Sequence, residues 1–384
     1  MPNGRSFETG NRTMILFAAS GFSRSVKKHL RTRNAMNLSD LGEFGFIDRI
    51  SGILNTADVR VVKGIGDDCA VVRLSDDRVQ VITTDALVEN VHFLTDRIGA
   101  EQLGHKCLAV NLSDIASMGA EPTFAVVTVA SPANGDVDYL AGVFRGIRAL
   151  ADRFGVTIVG GDMTSSQSDL MISLTALGEA RVDEIRYRSD AHPGDALLVA
   201  GVIGESGAGL ATLLDDECAG RLRRETCDTL RSRHLTPEPL VREGCWLARY
   251  AGPAGEKVGA MLDVSDGIAS DVRHICRESS TRCNTPVGVR INEAELPQTA
   301  ALAEYLECVG GDSIRYLLQS GEDYALLFSA PASTTDDLME RFHAEFATPI
   351  ARIGTFTDDE RVVLYRRDGS ESSLSGGHDH FRHA

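Results

Sequence analysis

The sequence predicts a two-domain protein built from α/β and α+β layers, and three observations carry that prediction. Short β-branched runs alternate with long amphipathic helical runs, the pattern of strands packed under helices. The same order of strand, Gly-rich turn and helix begins again after a polar break, "RYRSDAHPGD", residues 186–195. The 384 residues also amount to about two ordinary domains. We divide the chain into an extension over 1–36, an N-terminal domain over 37–188 and a C-terminal domain over 189–384.

The extension is basic: residues 1–39 hold seven Lys or Arg and one acid, Glu8, leaving 32 basic and 54 acidic residues in the rest. Its most apolar stretch, Met14–Phe22, is far short of the roughly 20 residues of a membrane span. We expect it to be disordered, with Met36 as an alternative start. The folded body opens with a helix in "EFGFIDRISGIL". "VRVVKGIG", "DCAVVRLS" and "RVQVITTDALV" read as strands, punctuated by turns. "AEQLGHKCLAVNLSDIASMGA" reads as a helix ending at Gly119, with Pro122 beyond it. "TFAVVTVA" is a strand, and "DVDYLAGVFRGIRALADRFG" an amphipathic helix closed by Gly155. "VTIVGGD" and "LMISLTALGEA" are strands again. In the second half, strand Ala196–Ala200 leads through "GVIGESGAG" into a helix, and "VGAMLDV" is a strand entering the helix of "SDGIASDVRHICRES".

Composition narrows the function. With 43% hydrophobic and 24% charged residues the chain can bury a sizeable core. A net charge of -16 argues against nucleic acid as the main partner, while bound cations could still admit an anionic small substrate. The eight cysteines form no C-x-x-C pair and sit in apolar runs, as small buried hydrophobes of a reducing, cytoplasmic compartment do.

Five acidic motifs are built alike. They are "GIGDDCA", "TTDALVENVHF", "NLSDIASMGA", "GGDMTSS" and "LDVSDGIASD". Each sets an aspartate at the end of an apolar element beside Ser, Thr or Gly. In a regular strand neighbours face opposite ways, so only one of Asp67 and Asp68 should face a site, the other a turn or solvent. Asp114 lies in an apolar helix, one turn after Asn111. It is either an internally satisfied structural carboxylate or a cation ligand. Asp263 and Asp266 sit where a strand meets a helix, where Ser265 or Asp266 could serve as an N-cap. "GGD" at 160–162 could be a tight turn. The set, with few basic residues among its members, points to hard oxygen-ligated cations such as magnesium. His92 is the only histidine inside these motifs. The chain has no G-x-x-x-x-G-K-[ST], no kinase H-R-D or D-F-G set and no G-x-S-x-G elbow. "GVIGESGAGL" could cradle a phosphate, or could serve close packing.

"GIGDDCAVV", "TTDALVENVHF", "KCLAVNLSDIASMGAEP", "GGD", "RSDAHPGDALLVAG", "GESGAGLATLL", "LDVSDGIASDVRHI" and "SGEDYALLF" occur in this order across residues 40–382. In order and spacing they resemble thiamine-monophosphate kinases, of the aminoimidazole-ribonucleotide-synthetase-like superfamily. The resemblance implies that ATP and thiamine monophosphate give ADP and thiamine diphosphate, the last step of thiamine diphosphate biosynthesis. It implies a homodimer in which N-terminal sheets pair, with the C-terminal α+β domain closing over the nucleotide. Matched by position, Asp68, Thr83, Thr84, Asp85, Asp114, Asp162, Asp263 and Asp266 would hold several Mg2+ ions. Gly161, Asp162, Arg188 and Ser265 would touch ATP, and His92 and Glu322 the thiamine monophosphate. His378, which stands where the family often has an aromatic residue before the terminal "DHF", would also contact the thiamine monophosphate, its imidazole stacking on the thiamine ring less well. Met163, Thr164 and Ser165 stand where it often has Thr-Thr-Arg. Two relatives are disfavoured. Selenophosphate synthetase needs a reactive Cys or Sec in an N-terminal Gly-rich segment, and residues 1–36 hold no Cys. The hydrogenase-maturation dehydratase needs a C-terminal Cys, and this sequence ends "HDHFRHA". A catalytically dead nucleotide binder should have lost acidic ligands that are present here.

Overall fold

The computed structural model describes residues 36–54 and 57–374. The expectations for the extension and for His378 lie outside these residues. Helix α1 (Leu38–Leu54) opens the body and kinks at Gly42, whose φ of 72° is not helical.

The N-terminal domain is a six-stranded sheet ordered β1-β2-β3-β6-β4-β5. The strands are β1 (Val61–Lys63), β2 (Ala70–Arg73), β3 (Arg78–Val88), β4 (Glu121–Ser131), β5 (Thr157–Ser165) and β6 (Met171–Arg181). Only β4 and β5 run parallel, joined by a crossover through α3 (Val137–Phe154). Along β6 burial alternates residue by residue, as it must when one face is covered and the other is not. The covered face carries α2 (Ala100–Ser117) and α3. These helices cross at glycines: a Cβ on Gly104 would stand 1.9 Å from Val143 O, and one on Gly146 2.0 Å from Glu101 O. Helix α2 ends through Met118 into Gly119 at φ +71°, and Gly155 closes α3 in the left-handed region, as their positions in the sequence predict.

The C-terminal sheet has seven strands ordered β13-β12-β9-β11-β7-β10-β8. They are β7 (Ala196–Ala200), β8 (Met261–Asp263), β9 (Gly288–Asn292), β10 (Leu326–Ala330), β11 (Ile350–Thr357), β12 (Val362–Tyr365) and β13 (Glu371–Ser373). Every residue of β7 and β10 is buried, so helices cover both faces. They include α4 (Glu205–Leu214), α5 (Asp216–Arg221), α6 (Arg224–Leu235), α7 (Val241–Arg249), α8 (Ile268–Cys283), α9 (Ala300–Val309), α10 (Ser313–Gln319) and α11 (Thr335–Glu345). Helix α7 packs back against α2. One apolar core therefore runs from Leu103 and Ile172 through Leu247 to Leu198 and Phe342, and a second fills the other face of the C-terminal sheet. The cysteines are all unpaired, six of them buried, as expected of small hydrophobes.

Two local readings are corrected. Residues 64–69 are not strand: Gly66 turns at φ +112° and the chain bends until β2 begins at Ala70. Alternation therefore does not apply, and the side chains of Asp67 and Asp68 are both excluded from solvent. Nor does Ser265 or Asp266 cap α8. Gly267 takes the N-cap position without a side-chain hydrogen bond.

Candidate active site

The two sheets meet at α2, and three carboxylates converge there. Asp68 comes from the bend before β2, Asp114 from α2 and Asp263 from the end of β8, with ligand oxygens all within 4.8 Å of one another. Each is held by a hydroxyl. Thr83 Oγ1 donates to Asp114 Oδ2, Ser117 Oγ to Asp68 Oδ2 and Ser113 Oγ to Asp263 Oδ2, the last at 2.5 Å. Helical spacing makes this possible, since Ser113, Asp114 and Ser117 share one stretch of α2. On β3, Thr83 and Asp85 point toward α2 by the two-residue period.

Burial sets the electrostatics. Desolvation, then repulsion from Asp85, Asp263 and Asp68, holds the Asp114 carboxyl well above the usual range. Desolvation and the Asp68 charge push Asp263 up to about 7 and Asp85 up to about 6. Asp67, behind Asp68, is pushed to about 7 by the same two causes. Arg188 is the cation at this end. Its Nε lies 2.6 Å from Asp68 Oδ1, its Nη2 donates to the same oxygen, and its backbone N–H donates to Asp67 Oδ1 at 3.2 Å. Lys63 Nζ stands 3.5 Å from Asp67 Oδ2. Clustered hydroxyl-braced carboxylates in a dry junction are a hard-oxygen donor set, and they fit magnesium.

Asp266 and Ser265 follow Asp263 in a bend, half-buried and exposed respectively. Ser265 O accepts the Glu322 N–H at 2.8 Å, so this bend is tied to the segment carrying Glu322. Glu322 itself sits at φ +61°, a left-handed conformation uncommon for its residue type. Its carboxylate meets Lys106 of α2 and His234 of α6. His92, after β3, accepts the Val88 N–H on Nδ1 at 3.0 Å, which leaves the proton of the neutral ring on Nε2.

Three expected residues lie apart from the triad. Thr84 faces the open side of the sheet, where its hydroxyl bonds Thr175 and Leu174 O. Gly161 and Asp162 are exposed in edge strand β5. Asp162 is level with Thr128, Ser173 and Ala86, placing it three strands, roughly 14 Å, from β3.

The Gly-rich turn before α4 is not open for a phosphate. The Asp323 carboxylate already accepts the N–H groups of Gly204 at 2.7 Å and Ser206 at 3.2 Å. Sequence reasoning missed Asp323 because its partners lie far away in the chain. It also missed Ser113 and Ser117, one residue before and three after Asp114, and Lys106, a lone lysine in an apolar helix. Both of those signals were readable.

Comparisons with known proteins identify the family. The AIR synthase related protein N-terminal domain matches residues 66–180, and the AIR synthase related protein C-terminal domain matches 192–367. The thiamine-monophosphate kinase of Escherichia coli (strain K12) is 34% identical over 346 residues, covering 88% of this chain and 98% of that protein. The thiamine-monophosphate kinase of Bacillus subtilis (strain 168) is 31% identical over 321 residues, covering 83% and 93%. The solved AaThiL complex with AMPPCP and TMP superposes with a TM-score of 0.76 at 30% identity, covering 90% of this chain and 99% of that one. The hydrogenase maturation protein HypE in complex with ATP, 21% identical with a TM-score of 0.59, covers 88% and 93% and shares the fold alone. The chain belongs to the thiamine-monophosphate kinase family of AIR synthase related enzymes.

Proposed function

We propose that this enzyme transfers the γ-phosphoryl group of ATP to thiamine monophosphate, giving ADP and thiamine diphosphate. The observation that carries the reading is a pair of unlike sites on one helix. Asp114, with Ser113 and Ser117, assembles the carboxylate triad near one end of α2, while Lys106 backs Glu322 near the other. From Lys106 to Asp114 the helix rises roughly 12 Å, a span suited to an extended two-ring phosphate ester. Its phosphate would meet the triad and its rings Glu322 and His92. The names of the relatives, and the ligand pair AMPPCP and TMP in one of them, support both substrates.

The acceptor is a phosphate oxygen, already largely ionised at pH 7 because its second pKa is about 6. No general base is needed, and what must be overcome is repulsion between two anions. Asp68, Thr83, Asp85, Asp114, Asp263 and Asp266 are the residues that would hold Mg2+. Bound there, the metal would offset the phosphate charges and align donor and acceptor in line. Ser265 adjoins the same bend. Arg188 rests on Asp68, where its planar fork can exchange a carboxylate for a nucleotide phosphate.

We assign Thr84, Gly161 and Asp162 to a site completed by a second copy. Edge strand β5 is exposed from Gly160 to Ser165, with Val159 57% and Met163 67% accessible, a surface a paired sheet would cover. Among the described residues no helix is long and apolar enough to cross a membrane, and we place the enzyme in the cytoplasm. The test is purified protein with ATP, Mg2+ and thiamine monophosphate, assayed by chromatography for thiamine diphosphate, with free thiamine as a control acceptor. Product is expected from the monophosphate only. A folded protein that makes none refutes the reading.

A further inference from the structure

Helix α2 carries one lysine in its buried stretch. Lys106 is fully excluded from solvent, and its Nζ lies 3.2 Å from each carboxylate oxygen of Glu322 and 3.4 Å from His234 Nε2. Lysine can only donate, so His234 Nε2 accepts and the ring proton sits on Nδ1. That nitrogen is 3.2 Å from Glu322 Oε2 and 3.1 Å from Ser206 Oγ. The three side chains close a ring. Only Glu322 keeps appreciable exposure, 28% of its side chain against 1% and 6% for Lys106 and His234. Lys106 and His234 therefore lie on the buried side of Glu322.

A buried lysine is a costly way to fill space that a leucine could fill, and the cost is tolerable only with a paired anion. The titratable groups facing Glu322 include Lys106 from α2, His234 from α6 and His92 from the loop after β3, and its chain neighbours Asp323 and Tyr324 feel its charge. Burial, followed by the Lys106 charge, lowers His234 to about 4, so the imidazole is neutral and a single ion pair remains. Burial pulls Glu322 upward, but the Lys106 charge and its hydrogen bond hold it below its ordinary value.

We propose that Lys106 and His234 are positioning residues that fix Glu322 as an oriented, ionised acceptor for the nitrogen-rich ring end of the acceptor substrate. They would thereby set recognition of that substrate and not of ATP. This rests on the proposed function, because it takes thiamine monophosphate as the molecule whose amino group Glu322 receives.

The test is steady-state kinetics of Lys106→Met, Glu322→Gln, their double variant and His234→Ala. Lys106→Met should raise KM for thiamine monophosphate roughly 10- to 100-fold, the worth of a hydrogen bond to a charged group, with KM for ATP unchanged. His234→Ala should act in the same direction and less. Lys106→Met should also make thiamine monophosphate binding weaken as pH falls, because Glu322 without its ammonium partner protonates more readily. A merely structural lysine would not confer that profile. If Lys106→Met does not fold, Lys106→Met/Glu322→Gln leaves neither charge uncompensated and carries the test. Its KM should match that of Glu322→Gln alone. Equal rises in both KM values, or effects that multiply in the double variant, would overturn the proposal. Wild-type protein that makes no thiamine diphosphate would instead overturn the function on which it rests.

Discussion

Replacing Asp114 with Asn separates metal binding from folding. The change keeps the side chain's shape and an acceptor for the Thr83 hydroxyl, and it removes one charge from three carboxylates whose oxygens lie within 4.8 Å. At that distance, with an effective dielectric constant near 20, each ionised pair repels by roughly 3 to 4 kcal/mol. Arg188 screens part of this at Asp68. Desolvation and its acidic neighbours hold Asp114 well above the usual carboxylate range. A carboxyl raised in this way contributes stability below its unfolded value and loses it as pH rises through its folded one. The metal-free variant should therefore melt no lower than wild type where the buried carboxyl is protonated, and higher once the pH is high enough to ionise it. A rise of about 2 °C corresponds to roughly 1.5 kcal/mol of relieved repulsion for a folded body of this size. Wild type should gain stability from Mg2+, about 2.7 kcal/mol at a hundredfold excess over Kd. Asp114→Asn should lose most of that gain together with turnover. Differential scanning fluorimetry in EDTA and in Mg2+, beside the kinase assay, reads all of this. A variant that melts lower in EDTA, responds to Mg2+ like wild type and still turns over would refute the reasoning.

Asp68→Ala should abolish turnover and Asp67→Ala only reduce it, since Asp67 touches the Arg188 backbone from behind while Asp68 belongs to the triad. Comparable losses in a direct kcat comparison would contradict this. Metal-free wild type should lose thermal stability as pH rises from about 4 through about 7, because burial raises Asp67 and Asp263 to about 7 and Asp85 to about 6. Saturating Mg2+ should flatten that slope, and a metal-independent slope in melting scans would count against the site. Mixing inactive Asp114→Asn with inactive Asp162→Asn chains should restore part of the activity if a second copy completes each site. A mixture as inactive as either variant would place both residues in one chain's site.

Much of the fold could be read from local pattern. Strand β7 and the ends of α2 and α3 fall where β-branched runs and terminal glycines put them. What was lost depended on a single backbone angle or on distant partners. Gly66 at φ +112° breaks the strand period that would have set Asp67 and Asp68 on opposite faces. Gly267 takes the cap that Ser265 or Asp266 might have filled. Asp323 reaches the Gly-rich turn from far along the chain. The motifs named Asp68, Asp114 and Asp263 separately, but only packing of α2 between the two sheets brings them together. His234 sits in a polar helix with nothing in its neighbours to mark it, whereas Lys106, alone in an apolar helix, was legible as a buried charge needing a partner.

The central claim is direct transfer between two phosphates, and one labelling measurement tests it. Wild-type enzyme with thiamine monophosphate, Mg2+ and ATP labelled in its γ-phosphate should place the label in the terminal phosphate of thiamine diphosphate, one for each ADP formed. It should do so only while Mg2+ is present. Label appearing solely as inorganic phosphate, or no release of ADP from the folded protein, would contradict the account.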